Sequence, residues 1–286
     1  MDTARGHKIV KQKQIRGAVN LNQSDQESDQ LIGSTLDDCY QIDNLIGTGA
    51  TANVYAAHEL DSKKPVAVKV LHQHLAADPG LVHRFLDEVQ TASLLIHPGI
   101  ATIFKSGRRK NGQPYFAMEL IVGKSLQQIL QDQGGWLDYK PALDIFNQIC
   151  AALGAAHEKG IAHRDFKPEN IMLLDPSHSR KELLVKILDF GVAKILPVEG
   201  ETYFKTTQTG ETIGSLLYMS PEQCLDQNVD TRTDIYSLGC VMYHALTGKP
   251  PLSGRTAFLT MNAHISSTPE SFARVRPGLD LPANLE

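Results

Sequence analysis

Residues 161–174 read IAHRDFKPENIMLL. Ile161 and Ala162 lead in, and Ile171, Met172, Leu173 and Leu174 lead out; those flanks belong in a core. Between them stand His163, Arg164, Asp165, Lys167, Glu169 and Asn170. Buried charge without a partner is very unfavourable. Either the segment is a solvated loop, or its polar groups converge on something charged. A second stretch, VKILDFGVAK at 185–194, places Asp189 at the end of a strand, with Phe190 and Gly191 after it. An acidic residue before a glycine also begins ordinary turns. Yet Asp165, Asn170 and Asp189 together supply hard oxygen ligands and a base. Mg²⁺ is commonly held by one or two carboxylates plus substrate phosphates, and phosphoryl transfer needs positioning and charge neutralisation more than covalent chemistry.

The bulk numbers set bounds. A chain of 286 residues allows one large domain or two lobes. With 42% hydrophobic and 21% charged residues it has an ordinary globular composition. A net charge of −4 gives no sign of a nucleic-acid or membrane partner. Cys39, Cys150, Cys224 and Cys240 form no C-x-x-C pair, which argues against zinc. Three of them lie in segments that read as helix or core, so buried free thiols and a reducing, cytoplasmic setting are expected. No apolar signal region opens the chain and no run approaches 18 apolar residues. Membrane tethering through segments beyond residue 286 stays open.

Residues 1–34 read as a disordered tail, basic around Lys8, Lys11, Lys13 and Arg16, then acidic around Asp25, Glu27 and Asp29. From Tyr40 the texture changes. YQIDNLIG reads as a strand, GTGATA as a turn, NVYAAHEL as a second strand and PVAVKVL, 65–71, as a third. Period-two alternation puts Val66, Val68 and Val70 on one face, with Ala67, Lys69 and Leu71 on the other. Asp78 as a cap and Pro79 at the first helical position open a helix. Val82, Phe85, Leu86, Val89, Ala92 and Ile96 form its apolar face, and it ends at HPG, 97–99. A hairpin follows around Asn111-Gly112. Beyond Gly123 the pattern is mostly helical, with amphipathic stretches at 138–160 and 233–248. A small β-rich part thus precedes a larger helical part, and a cleft between them is a favoured place for a ligand.

Gly47-Thr48-Gly49 sits in the first turn. A Gly-rich turn lets backbone N–H groups approach phosphate oxygens, because no Cβ intervenes; two glycines in a tight hairpin are also common without any ligand. A dinucleotide-binding reading needs a helix after the turn, and a strand follows here. Lys69, mid-strand between valines, is either an edge gatekeeper or a phosphate-binding cation that needs an anionic partner. Glu88 borders the apolar face of the next helix and can face that strand.

In this order, G47-T-G49 with Val54, V66-A-V-K69, Glu88, H163-R-D-F-K-P-E-N170, D189-F-G191, S220-P-E222 and D234-I-Y-S-L-G239 resemble the eukaryotic-like protein kinase family, in its bacterial serine/threonine branch. The resemblance covers Tyr40 to the end. It implies an α+β, two-lobed kinase-like fold: a small β-rich N-lobe with one main helix at about 35–119, a hinge at 119–123 and a larger, mostly helical C-lobe at 124–286. It implies ATP and Mg²⁺ as cofactors, and proteins bearing serine or threonine as substrates. The backbone of Gly47 and Gly49 would cover the ATP phosphates, and Ile46 and Thr48 would also belong to the ATP site. Lys69 would hold the α- and β-phosphates and pair with Glu88. Asp165 would deprotonate the attacking hydroxyl, Lys167 would neutralise the transferred group, and Asn170 and Asp189 would bind the metal. Val54 and Ala67 above and Met172 below would sandwich the adenine. Glu119 and Ile121 would bind its edge through the hinge backbone, with Met118 behind. His163 would be a buried structural residue stacked near Phe190, and Ser215 would bridge Asp165 and Lys167.

Regulation can be read from charge. Arg164, a cation beside the base, would take a phosphate on the loop that carries Thr206, Thr207, Thr209 and Thr212; by resemblance to the bacterial pattern T-x-T before I-G-S, Thr207 and Thr209 are the expected phosphosites. By resemblance, a homodimer would activate in trans. Two departures stand out. Ala52 replaces the usual third glycine, and the last helices, with the arginine that pairs with the glutamate equivalent to Glu222, are missing, so the C-lobe reads as truncated. A nucleotide-binding pseudokinase or inactive scaffold is the rival reading. It would go with loss of Lys69, Asp165, Asn170 or Asp189, and all four are present. A small-molecule phosphotransferase fits less well with the S-P-E segment and the long loop.

Overall fold

The computed structural model describes residues 31–175, 185–190, 211–279 and 281–282. Most of the tail, Gly191, Thr206, Thr207 and Thr209 lie outside the described residues.

β4 (Pro65–Leu71) is the backbone of the N-lobe. It lies inside a six-stranded antiparallel sheet of order β1-β2-β3-β4-β6-β5, with β1 at Thr35–Leu36, β2 at Tyr40–Thr48, β3 at Ala52–Glu59, β5 at Ile103–Arg108 and β6 at Pro114–Glu119. Its alternation sorts as expected. Val66, Val68 and Val70 pack with Tyr40, Ile42, Tyr55 and Tyr115 on one face. Ala67 and Leu71 pack with Phe116, Met118 and the helix below on the other. Burial on both faces is why this strand reads as nearly continuous apolar sequence. Leu31 is also buried in the first of these clusters, ahead of the expected boundary at 35.

α1 (Gln73–Ala76) is a single turn. α2 (Pro79–Ala92) starts where the cap residue predicts: the Asp78 carboxylate accepts from Gly80 N–H at 2.7 Å and Leu81 N–H at 3.2 Å. It buries Leu81, Val82, Phe85 and Val89 against β4 and β6, while Ala92 at its end joins the C-lobe core. Phe85→Ala at this contact would cost about 3–5 kcal/mol. The sequence-based helix runs one turn too far. Ile96 lies outside α2 and is 88% exposed, because the chain tightens through Thr91-to-Leu94 and Ala92-to-Leu95 turn bonds before His97-Pro98.

The C-lobe begins with β7 (Gly123–Ser125), α3 (Leu126–Asp132) and α4 (Tyr139–His157). β7, β8 (Ile171–Leu174) and β9 (Val185–Ile187) make a three-stranded sheet. α5 (Glu211–Leu216), α6 (Pro221–Cys224), α7 (Arg232–Thr247), α8 (Ala257–Ser266) and α9 (Phe272–Val275) follow. Ile145, Phe146, Ile149, Leu153 and Ala156 of α4 share one core with Leu238, Val241, Ala245 and Leu246 of α7. The two lobes touch through the loop after α2. Ala101 N–H donates to Ile187 O at 2.9 Å and Ile187 N–H donates to Gly99 O at 2.8 Å, tying the loop after α2 to β9. All four cysteines are free, but only Cys240 is buried and Cys150 is exposed. The expected free thiols are present, but burial holds in full for Cys240 alone; Cys39 and Cys224 are partly buried, and Cys150 occupies the solvent side of α4.

Candidate active site

The polar run 163–170 crosses the core because each inward group has a partner. His163 is fully buried, and its ring packs at 4.8 Å from Phe190 and 5.5 Å from Phe166. Its Nδ1 accepts from Asp165 N–H at 3.3 Å, so Nε2 carries the proton and donates to Leu188 O at 2.7 Å. The helical turn Pro168–Asn170 then feeds β8, and Asn170 O accepts from Leu188 N–H at 2.9 Å. Strand β9 and the 163–170 loop are thus laced together just before Asp189.

Asp165 and Lys167 form an ion pair at 2.8 Å, with side chains 30% and 21% exposed. Lys167 Nζ also donates to Ser215 Oγ at 2.7 Å. Of the expected Ser215 bridge, the Lys167 contact forms; among the described hydrogen bonds Ser215 has none to Asp165, which meets Lys167 directly instead. Asn170 Nδ2 donates to Asp165 O at 2.8 Å and more weakly to Asp165 Oδ2 at 3.4 Å. From the other lobe, Lys69 Nζ reaches Asp189 Oδ2 at 2.7 Å. Burial pushes the Asp189 carboxyl up; the Lys69 charge and hydrogen bond, with help from Lys167, outweigh it and hold it below the usual carboxylate range. Asp189 Oδ1 is buried and accepts no hydrogen bond. Oxygen donors of this kind suit a hard divalent cation.

One expectation differs. Among the described ion pairs, Lys69 is joined to Asp189, not to Glu88, which is partly buried on α2. Asp189 sits close enough to take the single ammonium. The nucleotide-cover residues Ile46, Gly47, Thr48 and Gly49 lie on the β2–β3 hairpin, and Val54 pairs with Lys69 across β3 and β4. Ala67 pairs with Met118 across β4 and β6, and Val54 packs on the same cluster. Met172 lies in the C-lobe sheet opposite Ser125. Ile121 is partly buried in the connection between lobes. Glu119 is engaged from both sides: its N–H donates to Thr102 O at 2.8 Å, and its carboxylate takes the buried Lys186 Nζ at 2.6 Å.

Asp234, at the start of α7, is the residue whose role the sequence reading missed. Its carboxylate is fully buried. Oδ2 accepts from His163 N–H at 2.8 Å and from His157 Nε2 at 2.7 Å; Oδ1 accepts from Arg164 N–H at 2.9 Å. Arg164 has φ 67°, a left-handed conformation that costs a non-glycine residue about 1–3 kcal/mol. Asp234 holds the N–H of this residue and Gln223 Nε2 holds its carbonyl at 2.7 Å, so the peptides on both sides of its Cα are fixed. Glu222, expected to lack its partner, accepts from Thr233 Oγ1 at 2.6 Å. Burial raises its carboxyl, and this bond together with its own N–H and Ser220 brings it below the ordinary range.

The same residues account for what the chain is similar to. It matches the protein kinase domain over residues 40–282. The chain belongs to the protein kinase family. Its relatives place it in the bacterial, eukaryotic-like serine/threonine branch. It is 38% identical over 252 residues to serine/threonine-protein kinase PknB of Mycolicibacterium smegmatis, covering 86% of this chain and 39% of that protein. It is 37% identical over 235 residues to a probable serine/threonine-protein kinase PknB of Corynebacterium glutamicum, covering 81% of this chain and 35% of that protein. The chain therefore spans about two fifths or less of the length of these curated relatives. Among solved structures, the Mycobacterium tuberculosis PknI kinase domain superposes with a TM-score of 0.65 at 27% identity, covering 86% of this chain and 84% of that one. Family membership carries with it the general use of ATP and a divalent metal. Among the described residues, no helix is long and apolar enough to cross a membrane.

Proposed function

We propose that this chain transfers the γ-phosphoryl group of Mg-ATP to serine and threonine hydroxyls of proteins. The observation that carries this reading is the meeting of Lys69 with Asp189 beside the Asp165–Lys167–Ser215 cluster. Asp165, partly exposed beside Lys167, accepts the proton of an attacking hydroxyl in this reading. Lys167, beside it, neutralises charge gathering on the transferred group. Lys69 positions the α- and β-phosphates, and the β2–β3 hairpin covers them. Val54, Ala67 and Met172 bracket the adenine, and Glu119 and Ile121 meet its edge, with Met118 behind.

The donors fit Mg²⁺. Asp189 offers a buried oxygen that accepts no hydrogen bond, and Asn170, held through its Nδ2, offers its amide oxygen. When bound, the metal neutralises phosphate charge. Ser215 ties the peptide-substrate segment to Lys167, which favours a protein substrate over a small molecule.

Loop phosphorylation belongs to the same proposal. Arg164 Nε is buried without an acceptor, and among the described residues its guanidinium forms no ion pair. A phosphate on Thr207 or Thr209 would supply that anion, in trans within a homodimer. Nothing observed favours a pseudokinase.

The test is incubation with Mg-ATP and a generic protein substrate, beside Asp165→Asn. Phosphoserine or phosphothreonine made by the wild type, and reduced at least about 100-fold in the variant, supports the reading. Equal labelling by both proteins refutes it. The phosphosite arm fails if the Thr207→Ala, Thr209→Ala double variant keeps the full autoactivated rate.

A further inference from the structure

The tip of the β2–β3 hairpin has little to hold it. Thr48, Gly49 and Ala50 are exposed, and within the hairpin Gly49 N–H donates to Ala52 O at 3.0 Å. The other grip comes from one residue past the end of β4. His72 N–H donates to Thr51 O at 2.8 Å, and His72 Nε2 lies 2.8 Å from Gly49 O. A carbonyl oxygen only accepts, so Nε2 carries the proton and donates.

His72 is itself immobilised. It is 7% exposed, and its ring stacks on His74 at 5.7 Å. Its carbonyl accepts from Leu75 and Ala76 N–H at the start of α1. The residues on either side are pinned from the β5–β6 turn. Gln113 Nε2, buried, donates to Leu71 O at 2.7 Å, and Asn111 Nδ2 donates to Gln73 Oε1 at 2.9 Å. A fixed donor is thus presented to a loop with little other anchorage.

A peptide unit is planar and trans, so its C=O and N–H point to opposite sides. With Gly49 C=O turned to the His72 ring, Ala50 N–H faces away from it. We infer that His72 is a positioning residue for phosphate binding: its imidazole fixes the Gly49–Ala50 peptide so that Ala50 N–H is presented to the nucleotide phosphates. The backbone bond to Thr51 is available to any residue except proline; the bond to Gly49 needs a side-chain donor of this reach. The grip offsets freedom that Gly49, lacking a Cβ, would otherwise give the tip. The inference rests on the kinase reading of the hairpin.

The test compares wild type, His72→Phe and His72→Gln for direct binding of Mg-ATP and of adenosine, and for KM and kcat. His72→Phe keeps a buried ring without the donor. It is expected to weaken Mg-ATP binding, and raise KM for ATP, about 3- to 10-fold, the worth of one hydrogen bond. Adenosine affinity and KM for the protein substrate stay within twofold. His72→Gln, with an amide N–H in reach, restores Mg-ATP binding to within about twofold. Equal loss of adenosine and ATP binding overturns the inference, as does unchanged ATP binding in His72→Phe or failure of rescue. Should His72→Phe fold poorly, a nitrogen-15 spectrum of the wild-type imidazole decides: Nε2 protonated at neutral pH is expected, and a bare Nε2 overturns the inference. A wild type that binds no ATP refutes the kinase reading itself and this inference with it.

Discussion

Asp234→Asn changes one oxygen to an NH₂ with no change of shape, and the surroundings of Asp234 set its cost. The carboxylate accepts three hydrogen bonds in a fully buried site. An amide cannot satisfy them all. With its oxygen in the Oδ2 position, His163 N–H and His157 stay bonded and Arg164 N–H faces an NH₂. With its oxygen in the Oδ1 position, His163 N–H is opposed instead, and His157 must change tautomer. The first orientation loses less. It forfeits one charge-assisted bond, about 1.5–3 kcal/mol, and weakens the two that remain from ionic to neutral. A total of about 3 kcal/mol is expected, a large share of a typical domain stability of about 5–15 kcal/mol. The lost bond is the one on the strained Arg164 peptide, next to Asp165. Release of that strain displaces the base, so kcat should fall about 10- to 100-fold with KM for ATP little changed. Urea unfolding and steady-state kinetics read the two effects. A stability change below about 0.5 kcal/mol together with kcat within twofold of wild type would refute the argument that Asp234 holds the loop.

Two further outcomes rest on the same geometry. The Asp189 carboxyl titrates below its ordinary range in the folded chain, so its stabilising contribution is complete above the unfolded value of about 4 and is lost as pH falls through the lower folded value. The gap in urea midpoint between wild type and Asp189→Asn should be widest above about pH 5 and narrow toward pH 3; parallel curves would contradict this. Arg276 Nη1 donates to Leu246 O at 2.8 Å and Leu137 O at 3.2 Å, and its guanidinium lies 4.7 Å from the Trp136 ring. Arg276→Ala should cost about 2–3 kcal/mol of stability with KM for ATP unchanged, and Arg276→Lys, which lacks the fork, should recover part of it.

How far the sequence could be read depends on what each residue meets. β4 was legible because both of its faces meet side chains: Val66, Val68 and Val70 on one, Ala67 and Leu71 on the other. The start of α2 was legible because Asp78 and Pro79 act locally. Its end was not. The apolar spacing continues to Ile96, while the backbone leaves the helix at Ala92 and turns toward β9. Periodicity records which residues are apolar, and a tertiary connection decides where the helix stops.

The site divides in the same way. Lys69, Asp165, Lys167 and Asn170 are charged or amide side chains whose partners are mostly other side chains, and the ordered motifs of the kinase resemblance point to them. Asp234, Gln223 and His72 act on backbone atoms: the N–H groups of His163 and Arg164, the carbonyl of Arg164, and the carbonyl of Gly49. Every residue carries such atoms, so no residue type at the receiving end marks the contact. Asp234 could be quoted as part of a motif without its task being visible, and His72 could not be singled out at all. The same asymmetry explains why substitutions at these three positions should be judged by geometry. At Asp234 an isosteric amide fails, because two backbone donors approach both oxygens. At His72 an amide suffices, because a single carbonyl needs only one donor in reach.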